Sequence, residues 1–241
     1  ASCSTLDSDE GFSAWQGEEG DALIIFDWDD TLFPTTALAV LNAGDEEFEP
    51  VLTPAMREAL AQHAREVEVT LQEARQLGRV VIVTAAEKGW VQESVTRFLP
   101  ALTDVICGPN AWVPVVSARS AYEPQGFLNG MEQKLRAFHD VLKLHLRGSS
   151  ILKGSNRSVI SVGDADSERR ALRRLAGLVK WVWPKSVKLT AAPALWWLTA
   201  EVVSVRGWLS GLVAFEGCLD QAVEAVSPDA IVDKRQGLIA V

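Results

Sequence analysis

The densest chemical potential in this chain lies in Asp27-Trp28-Asp29-Asp30-Thr31-Leu32, which follows the apolar run Leu23-Ile24-Ile25-Phe26. Carboxylates this close repel one another. A divalent cation is the simplest compensation, and all-oxygen ligands favour Mg²⁺ over zinc. Asp27 and Asp29 are two apart, so both side chains point the same way if a strand continues through them. The plainer alternative is an acidic turn that closes a strand. Matching groups recur downstream: Thr84 after an apolar run, Lys134 in a polar-apolar periodic segment, and Asp164, Asp166 and Glu168 in Gly163-Asp164-Ala165-Asp166-Ser167-Glu168.

These groups need elements to hold them. Leu23–Phe26 reads as a fully buried strand, at about Ala22–Asp27, of the kind found in parallel sheets covered on both faces. Ligands of such sheets bind beyond the C-terminal strand ends. Leu32-Phe33-Pro34-Thr35-Thr36 reads as a turn, followed by a mixed segment to Pro50. A helix from Pro54 to Leu77 follows: Thr53 suits the N-cap, Pro54 the first helical position, and Met56, Leu60, Ala64, Val67, Leu71, Ala74 and Leu77 form one apolar stripe. Gly78 is read as its stop. His63 falls on the surface or the stripe edge. Arg79–Thr84 is a second buried strand, closing a βαβ unit.

Further elements are expected as a helix over Glu87–Leu99, a short strand over Asp104–Cys107, and a loop over 108–130 with a strand at Val113–Ser117. A helix over Met131–Leu146 carries Lys134 in its first turn; His139 and His145 lack partners at metal-ligand spacing and read as structural. Arg147–Asn156 reads as a polar loop, Ser158–Val162 as a strand ending in Gly163-Asp164, and 166–176 as a helix. Val179–Trp183 is a fifth strand and Lys185–Thr190 an edge strand. Pro193–Val226 is helix-compatible, with Trp196, Trp197 and Trp208 packing on the sheet edge or a neighbouring helix. Residues 1–20, with Phe12 and Trp15, read as a mobile polar leader, and 191–241 as a helical extension packed on a core of 21–190.

Composition narrows the function classes. A net charge of −9 over 241 residues argues against nucleic acid as an electrostatic partner. The basic cluster Arg169, Arg170, Arg173 and Arg174 reads as a solvated helix face. The three cysteines, Cys3, Cys107 and Cys218, form no CxxC, so neither a zinc site nor a disulfide framework is indicated, and a reduced, cytoplasmic setting is expected. The C-terminal apolar region is interrupted by Glu201, Arg206 and Glu216, so no transmembrane span is expected. The chain opens on Ala1, which leaves any upstream targeting signal open. Nothing in the sequence sets an oligomeric state.

In order, these groups resemble the four motifs of the haloacid-dehalogenase-like superfamily of phosphohydrolases, over about Ala22–Thr190. Phe26-Asp27-Trp28-Asp29-Asp30-Thr31-Leu32 is similar to its DxDxT motif, Val81-Ile82-Val83-Thr84 to its second and Gly163–Glu168 to GDxxxE/D. The third motif is a lone lysine. Lys134 in Glu132-Gln133-Lys134-Leu135-Arg136-Ala137-Phe138 resembles the WKxxAF segment of the DWDDTL phosphatase-like subgroup of protists and plants, with Gln133 where that subgroup has Trp. Lys153 is the competitor. Ser117-Ala118-Arg119-Ser120-Ala121-Tyr122-Glu123 also resembles that subgroup.

The resemblance implies a three-layer α/β/α sandwich with a mainly parallel sheet and no large cap domain. It implies a Mg²⁺-dependent phosphatase acting on a phosphorylated small molecule or a phosphoprotein. In it Asp27 is the nucleophile and Asp29 the acid/base, while Thr84, Ala85 and Lys134 bind the phosphate. Mg²⁺ sits on Asp27, the Asp29 carbonyl and Asp164. Thr31 and Glu168 support the site, Glu168 orienting either a metal-bound water or Lys134. Asp30 and Asp166 are expected as turn and N-cap residues. The alternatives are a fold-sharing binding or regulatory protein without turnover, and a scaffold working through its Trp-rich C-terminal region.

Overall fold

A computed structural model describes residues 22–40, 52–147 and 157–223. The expected leader, Cys3, residues 41–50 of the mixed segment, the polar loop with Lys153 and the end of the C-terminal extension lie outside them. Six strands form one sheet in which every pairing is parallel: β1 (Ala22–Phe26), β2 (Gly78–Thr84), β3 (Val115–Ser117), β4 (Arg157–Gly163), β5 (Val182–Lys188) and β6 (Leu219–Ala222), in the order β3-β2-β1-β4-β5-β6. The helices are α1 (Thr35–Val40), α2 (Pro54–Leu77), α3 (Trp90–Phe98), α4 (Ala118–Tyr122), α5 (Gly130–Arg147), α6 (Asp166–Leu178) and α7 (Leu195–Ala214).

Every residue of β1, β2 and β4 is buried, because helices cover both faces of the sheet. Alternation along β1 divides the core. Ala22, Ile24 and Phe26 face α2, α3 and α7; Leu23 and Ile25 face α5 and α6. This is the expected three-layer α/β/α sandwich. Between β2 and α5 the described chain adds α3, short helical turns, β3 and α4, with no separate cap among the described residues. The chain leaves β1 towards β2 but leaves β4 towards β5. The neighbouring ends of β1 and β4 therefore form the crevice where a doubly wound sheet binds ligands.

Several local expectations change. Thr103–Cys107 is a π-helical turn, with the Gly108 N–H donating to the Thr103 carbonyl at 2.6 Å. The position beside β2 is taken by Val115–Ser117, so the apolar run Val105-Ile106 is buried as a helical turn instead. The two strands expected over 179–190 are the single β5. Helix α3 starts at Trp90 rather than Glu87, and α1 forms in the segment read as turn and mixed chain. Ala165 is the N-cap of α6, making Asp166 its first residue. Gly78 caps α2 as expected, its N–H donating to the Ala74 carbonyl, but it is extended, with φ 174°, and is also the first residue of β2. Its glycine requirement is space: a Cβ there would lie 2.3 Å from the Ala22 carbonyl oxygen.

The C-terminal extension is not purely helical. Helix α7 packs along α2, and the chain returns to add β6 beside β5. Successive steps from β4 to β5 and from β5 to β6 move the same way along the sheet but cross opposite faces, through α6 and α7, so their hands are opposite. Polar ties fix this less usual path. Arg206 pairs with Glu66 at 2.7 Å, the Glu201 carboxylate accepts from the Thr190 N–H at 2.9 Å, and Arg169 and Arg173 of the supposedly solvated basic face both hold Asp220 of β6. His63, expected at the surface or the stripe edge, is buried between α2 and α7, 2.9 Å from the Leu32 carbonyl and 3.0 Å from the Thr199 hydroxyl. A carbonyl only accepts, so Nε2 donates to Leu32. Trp196 and Trp208 do not pack inward; they are 68% and 44% exposed, whereas the half-buried Trp197 donates to the Thr190 hydroxyl.

Lys185 closes the structure at the other end of α7. Its fully buried ammonium donates to Leu212 O (2.5 Å), Val213 O (3.3 Å), Phe215 O (2.6 Å) and Ser158 Oγ (2.7 Å). A strand lysine thus satisfies carbonyls at the negative end of a helix. Replacing Lys185 by Met keeps the length but removes the donor that those carbonyls and Ser158 share. We expect a loss of about 3 kcal/mol in urea unfolding; a change under about 0.5 kcal/mol would mean that the cap contributes nothing net.

Candidate active site

The site is built where β1 and β4 end. Strand β1 stops at Phe26, but the Asp27 N–H still donates to Val162 O at 2.9 Å, so Asp27 continues the ladder. The chain then curls around the Trp28 carbonyl, which accepts from Thr31, Leu32 and Phe33 at 3.2, 2.9 and 2.9 Å. Asp30 adopts the left-handed conformation, φ 51°, which Asp tolerates well. Its carboxylate accepts from the Thr36 N–H (2.9 Å) and hydroxyl (2.5 Å), so Asp30 is the turn residue expected of it. Aromatic packing clamps the curl to α3. Phe33 stacks on Trp28 at 5.7 Å and meets Trp90 edge-on at 5.9 Å, while the Trp28 indole donates to Ser94 Oγ at 2.9 Å.

Because the strand does not continue, Asp27 and Asp29 have different surroundings. Asp27 Oδ1 accepts from the Trp28 N–H at 2.8 Å, and Oδ2 pairs with Lys134 Nζ at 2.8 Å. Lys134 also pairs with Glu168 of α6, and all three side chains are almost wholly buried. Asp29 Oδ1 accepts from the Thr35 hydroxyl at 2.5 Å and the Trp90 indole at 2.8 Å; its Oδ2 accepts from the Thr84 hydroxyl at 3.3 Å. Thr84 Oγ in turn accepts from the Ala86 N–H at 2.9 Å, which shapes the turn through Ala85.

Helix α5 brings Lys134 into place. Asn129 caps its start, accepting from the Met131 and Glu132 N–H groups, and buried Gln133 donates to Phe127 O at 2.7 Å. Helix α4 steadies the loop after Thr84: Ser117 donates to Ala86 O, and Ser120 accepts from the Lys88 N–H at 2.9 Å. Gly163 is needed for close approach. A Cβ there would lie 2.9 Å from Glu168 Cγ and 3.1 Å from Oε2, pushing Glu168 off Lys134.

Charge at the site is not balanced. Burial pushes the Asp27 carboxyl up to about 6, against the pull of Lys134 and with a further push from Glu168. Burial, then the neighbouring carboxylates of Asp27, Glu168 and Asp30, push Asp164 up to about 7. Burial opposes the charge on Lys134, yet its two carboxylate partners hold its pKa above the ordinary lysine value. Glu168 Oε2 is buried with no hydrogen-bond partner. Among the described residues no three His, Cys, Asp or Glu side chains gather as a metal cluster. The expected donor set needs only two carboxylates, Asp27 and Asp164, with the Asp29 carbonyl. Surplus negative charge, an orphaned carboxylate oxygen and an all-oxygen donor set fit a hard divalent cation.

The structure thus brings together Asp27, Lys134 and Glu168, and separately Asp29 and Thr84, with Asp164 close enough to feel the first group electrostatically. It does not bring Thr31 in: its hydroxyl is buried without a partner, beside a small core gap lined by Phe26, Thr70, Val162 and Val202. Sequence reasoning missed Trp90, Thr35 and His63, which bind through contacts that no motif records. No helix among the described residues is long and apolar enough to cross a membrane. No family model matches the chain, and comparison with curated proteins and with solved structures likewise gives no match.

The raised carboxylates carry a pH consequence. Between the 3.8 of a free aspartate and about 6 to 7, the folded protein holds protons that the unfolded chain has released, so their contribution to stability is lost as pH rises through that window. His63 acts in the opposite sense, since burial lowers its pKa below 6.5 and stability is lost as it is forced to charge at lower pH. Comparison with Asp164→Asn isolates the carboxylate. In metal-free buffer the variant should melt above wild type at about pH 8, and the gap in Tm should shrink steadily below about pH 7 and close only near the unfolded value of 3.8. A pH-independent difference in Tm would contradict the charge imbalance.

Proposed function

We propose that this chain is a Mg²⁺-dependent phosphohydrolase that cleaves phosphate monoesters through an aspartyl-phosphate on Asp27. The observation that carries this reading is the division between the two carboxylates. Asp27 is paired with an ammonium, while Asp29 is held apart by hydroxyl and indole donors. Two neighbouring acids with different surroundings suit two roles.

The Asp27 carboxylate attacks phosphorus, kept ionised by Lys134. As the bond to the leaving oxygen breaks, its electron pair stays on that oxygen, which takes the proton of Asp29. The resulting Asp29 carboxylate then removes a proton from water as the water oxygen attacks the aspartyl-phosphate, releasing phosphate and restoring Asp27. Thr84, the backbone at Ala85 and Lys134 hold the phosphoryl oxygens, and Glu168 orients Lys134. Asp27, Asp164 and the Asp29 carbonyl would hold Mg²⁺, which would supply the positive charge that lets an anionic nucleophile meet an anionic phosphate. The described elements include no cap, which fits bulky substrates, including phosphoproteins, as well as small phosphate esters. A binding protein without turnover is the second reading, favoured by the apolar residues that α7 and its end expose, Trp196, Trp208 and Phe215.

The two readings separate on one measurement. With an activated phosphate ester and Mg²⁺, acid quench and intact-protein mass spectrometry should show one added phosphoryl group in Asp29→Asn and none in Asp27→Asn. Steady turnover in Asp29→Asn should fall by roughly 10²–10⁴-fold. Phosphorylated Asp27→Asn would overturn the assignment of the nucleophile, and a wild-type protein that cleaves no ester with any divalent metal would favour the binding reading.

A further inference from the structure

Trp90 stands outside every motif, yet it makes one of the three side-chain hydrogen bonds that hold Asp29. The two oxygens of Asp29 are treated unequally. Oδ1 receives the Thr35 hydroxyl at 2.5 Å and the Trp90 indole N–H at 2.8 Å, two donors for an oxygen with two lone pairs. Oδ2 receives only Thr84, at 3.3 Å. Indole nitrogen donates and never accepts, so this bond has one direction whatever the state of the carboxyl. The ring is itself held: Phe33 meets it edge-on at 5.9 Å, and Phe33 in turn stacks on Trp28, next in sequence to Asp27 and Asp29. Trp90 also opens α3, directly after the N-cap Gly89, whose φ is 99°.

Resting on the phosphohydrolase reading, we infer that Trp90 is a positioning residue. With Thr35 it pins Asp29 Oδ1 and turns Oδ2, on the Thr84 side, towards the leaving group. The proton passes from Oδ2 to the leaving oxygen as the phosphorus–oxygen bond breaks and its electron pair stays on that oxygen. Loss of the indole N–H leaves the carboxyl free to rotate, so proton delivery suffers while the Asp27 attack does not. The defect therefore depends on how much the leaving group needs a proton.

Trp90→Phe keeps a ring against Phe33 and removes the N–H; Thr35→Val removes the other donor, and Thr35→Ser retains it. The readout is the single-turnover rate of phosphoenzyme formation from p-nitrophenyl phosphate, a good leaving group, and from an alkyl phosphate, a poor one. Trp90→Phe and Thr35→Val should each lose roughly tenfold more on the alkyl ester than on the aryl ester, and Thr35→Ser should behave like wild type. Equal losses on both esters would reduce Trp90 to a packing residue and overturn the proposal. The hydrogen bond is also tested without turnover. In ¹H–¹⁵N spectra the Trp90 indole resonance, identified by its absence in Trp90→Phe, should move in Asp29→Ala and stay in place in Asp220→Ala. An unmoved resonance in Asp29→Ala overturns the positioning contact. Wild-type protein inert to both esters overturns the phosphohydrolase reading and the proton-delivery role with it, and the indole resonance still reports the contact by itself.

Discussion

The site depends on one buried ion pair network: the Lys134 ammonium between the carboxylates of Asp27 and Glu168. A lysine almost fully removed from water is costly unless paired, and here three elements supply the pairing, from the end of β1, the first turns of α5 and the start of α6. Removing Lys134 leaves two carboxylates uncompensated inside the fold, whereas removing either carboxylate leaves a one-to-one pair. The network therefore ties the two halves of the sheet together across the crevice between β1 and β4. It still carries one negative charge too many, and Asp164 adds another. Burial first, and the neighbouring carboxylates after it, raise the pKa values of Asp27 and Asp164, and a bound cation would relieve that excess of negative charge.

Around this network, polar groups are satisfied by partners far away in sequence. Trp28 reaches Ser94, His63 joins the Leu32 carbonyl to Thr199, and Lys185 serves the last carbonyls of α7. Each buried donor or acceptor has to be answered somewhere, and in a layered fold the nearest answer is usually on another element. His63 shows the consequence for the site. By holding Leu32 it anchors the far side of the acidic curl to α2 and α7, so the C-terminal helix supports the strand-end loop without touching the carboxylates.

Helix α7 combines two behaviours. Leu198, Val202, Val205, Leu209 and Leu212 are buried against the first core, whereas Trp196 and Trp208 on the other side are largely exposed. A helix apolar all round belongs in an interior. This one is covered on one side only among the described residues, which sets it apart from α5 and α6, whose outer faces are polar.

Much of the fold was legible in the sequence because its cause is local. The apolar runs of β1, β2 and β4, the stripe of α2 with Thr53 and Pro54 at its start, and the placing of Asp27, Thr84, Lys134 and Asp164 near strand ends or in an early helical turn all follow from periodicity and from which residues start helices. Tertiary structure decided what depends on neighbours. The Val105-Ile106 run became a π-turn because another segment held the sheet edge. Gly78 and Gly163 are glycines for lack of room beside Ala22 and Glu168, not for backbone freedom. His63 is buried because α7 covers it. Asp27 and Asp29 are adjacent in type and spacing, and the sequence treats them alike. Only the curl after Phe26 sends one to Lys134 and the other to Thr35, Trp90 and Thr84, because a carboxylate's environment is set by what folds against it.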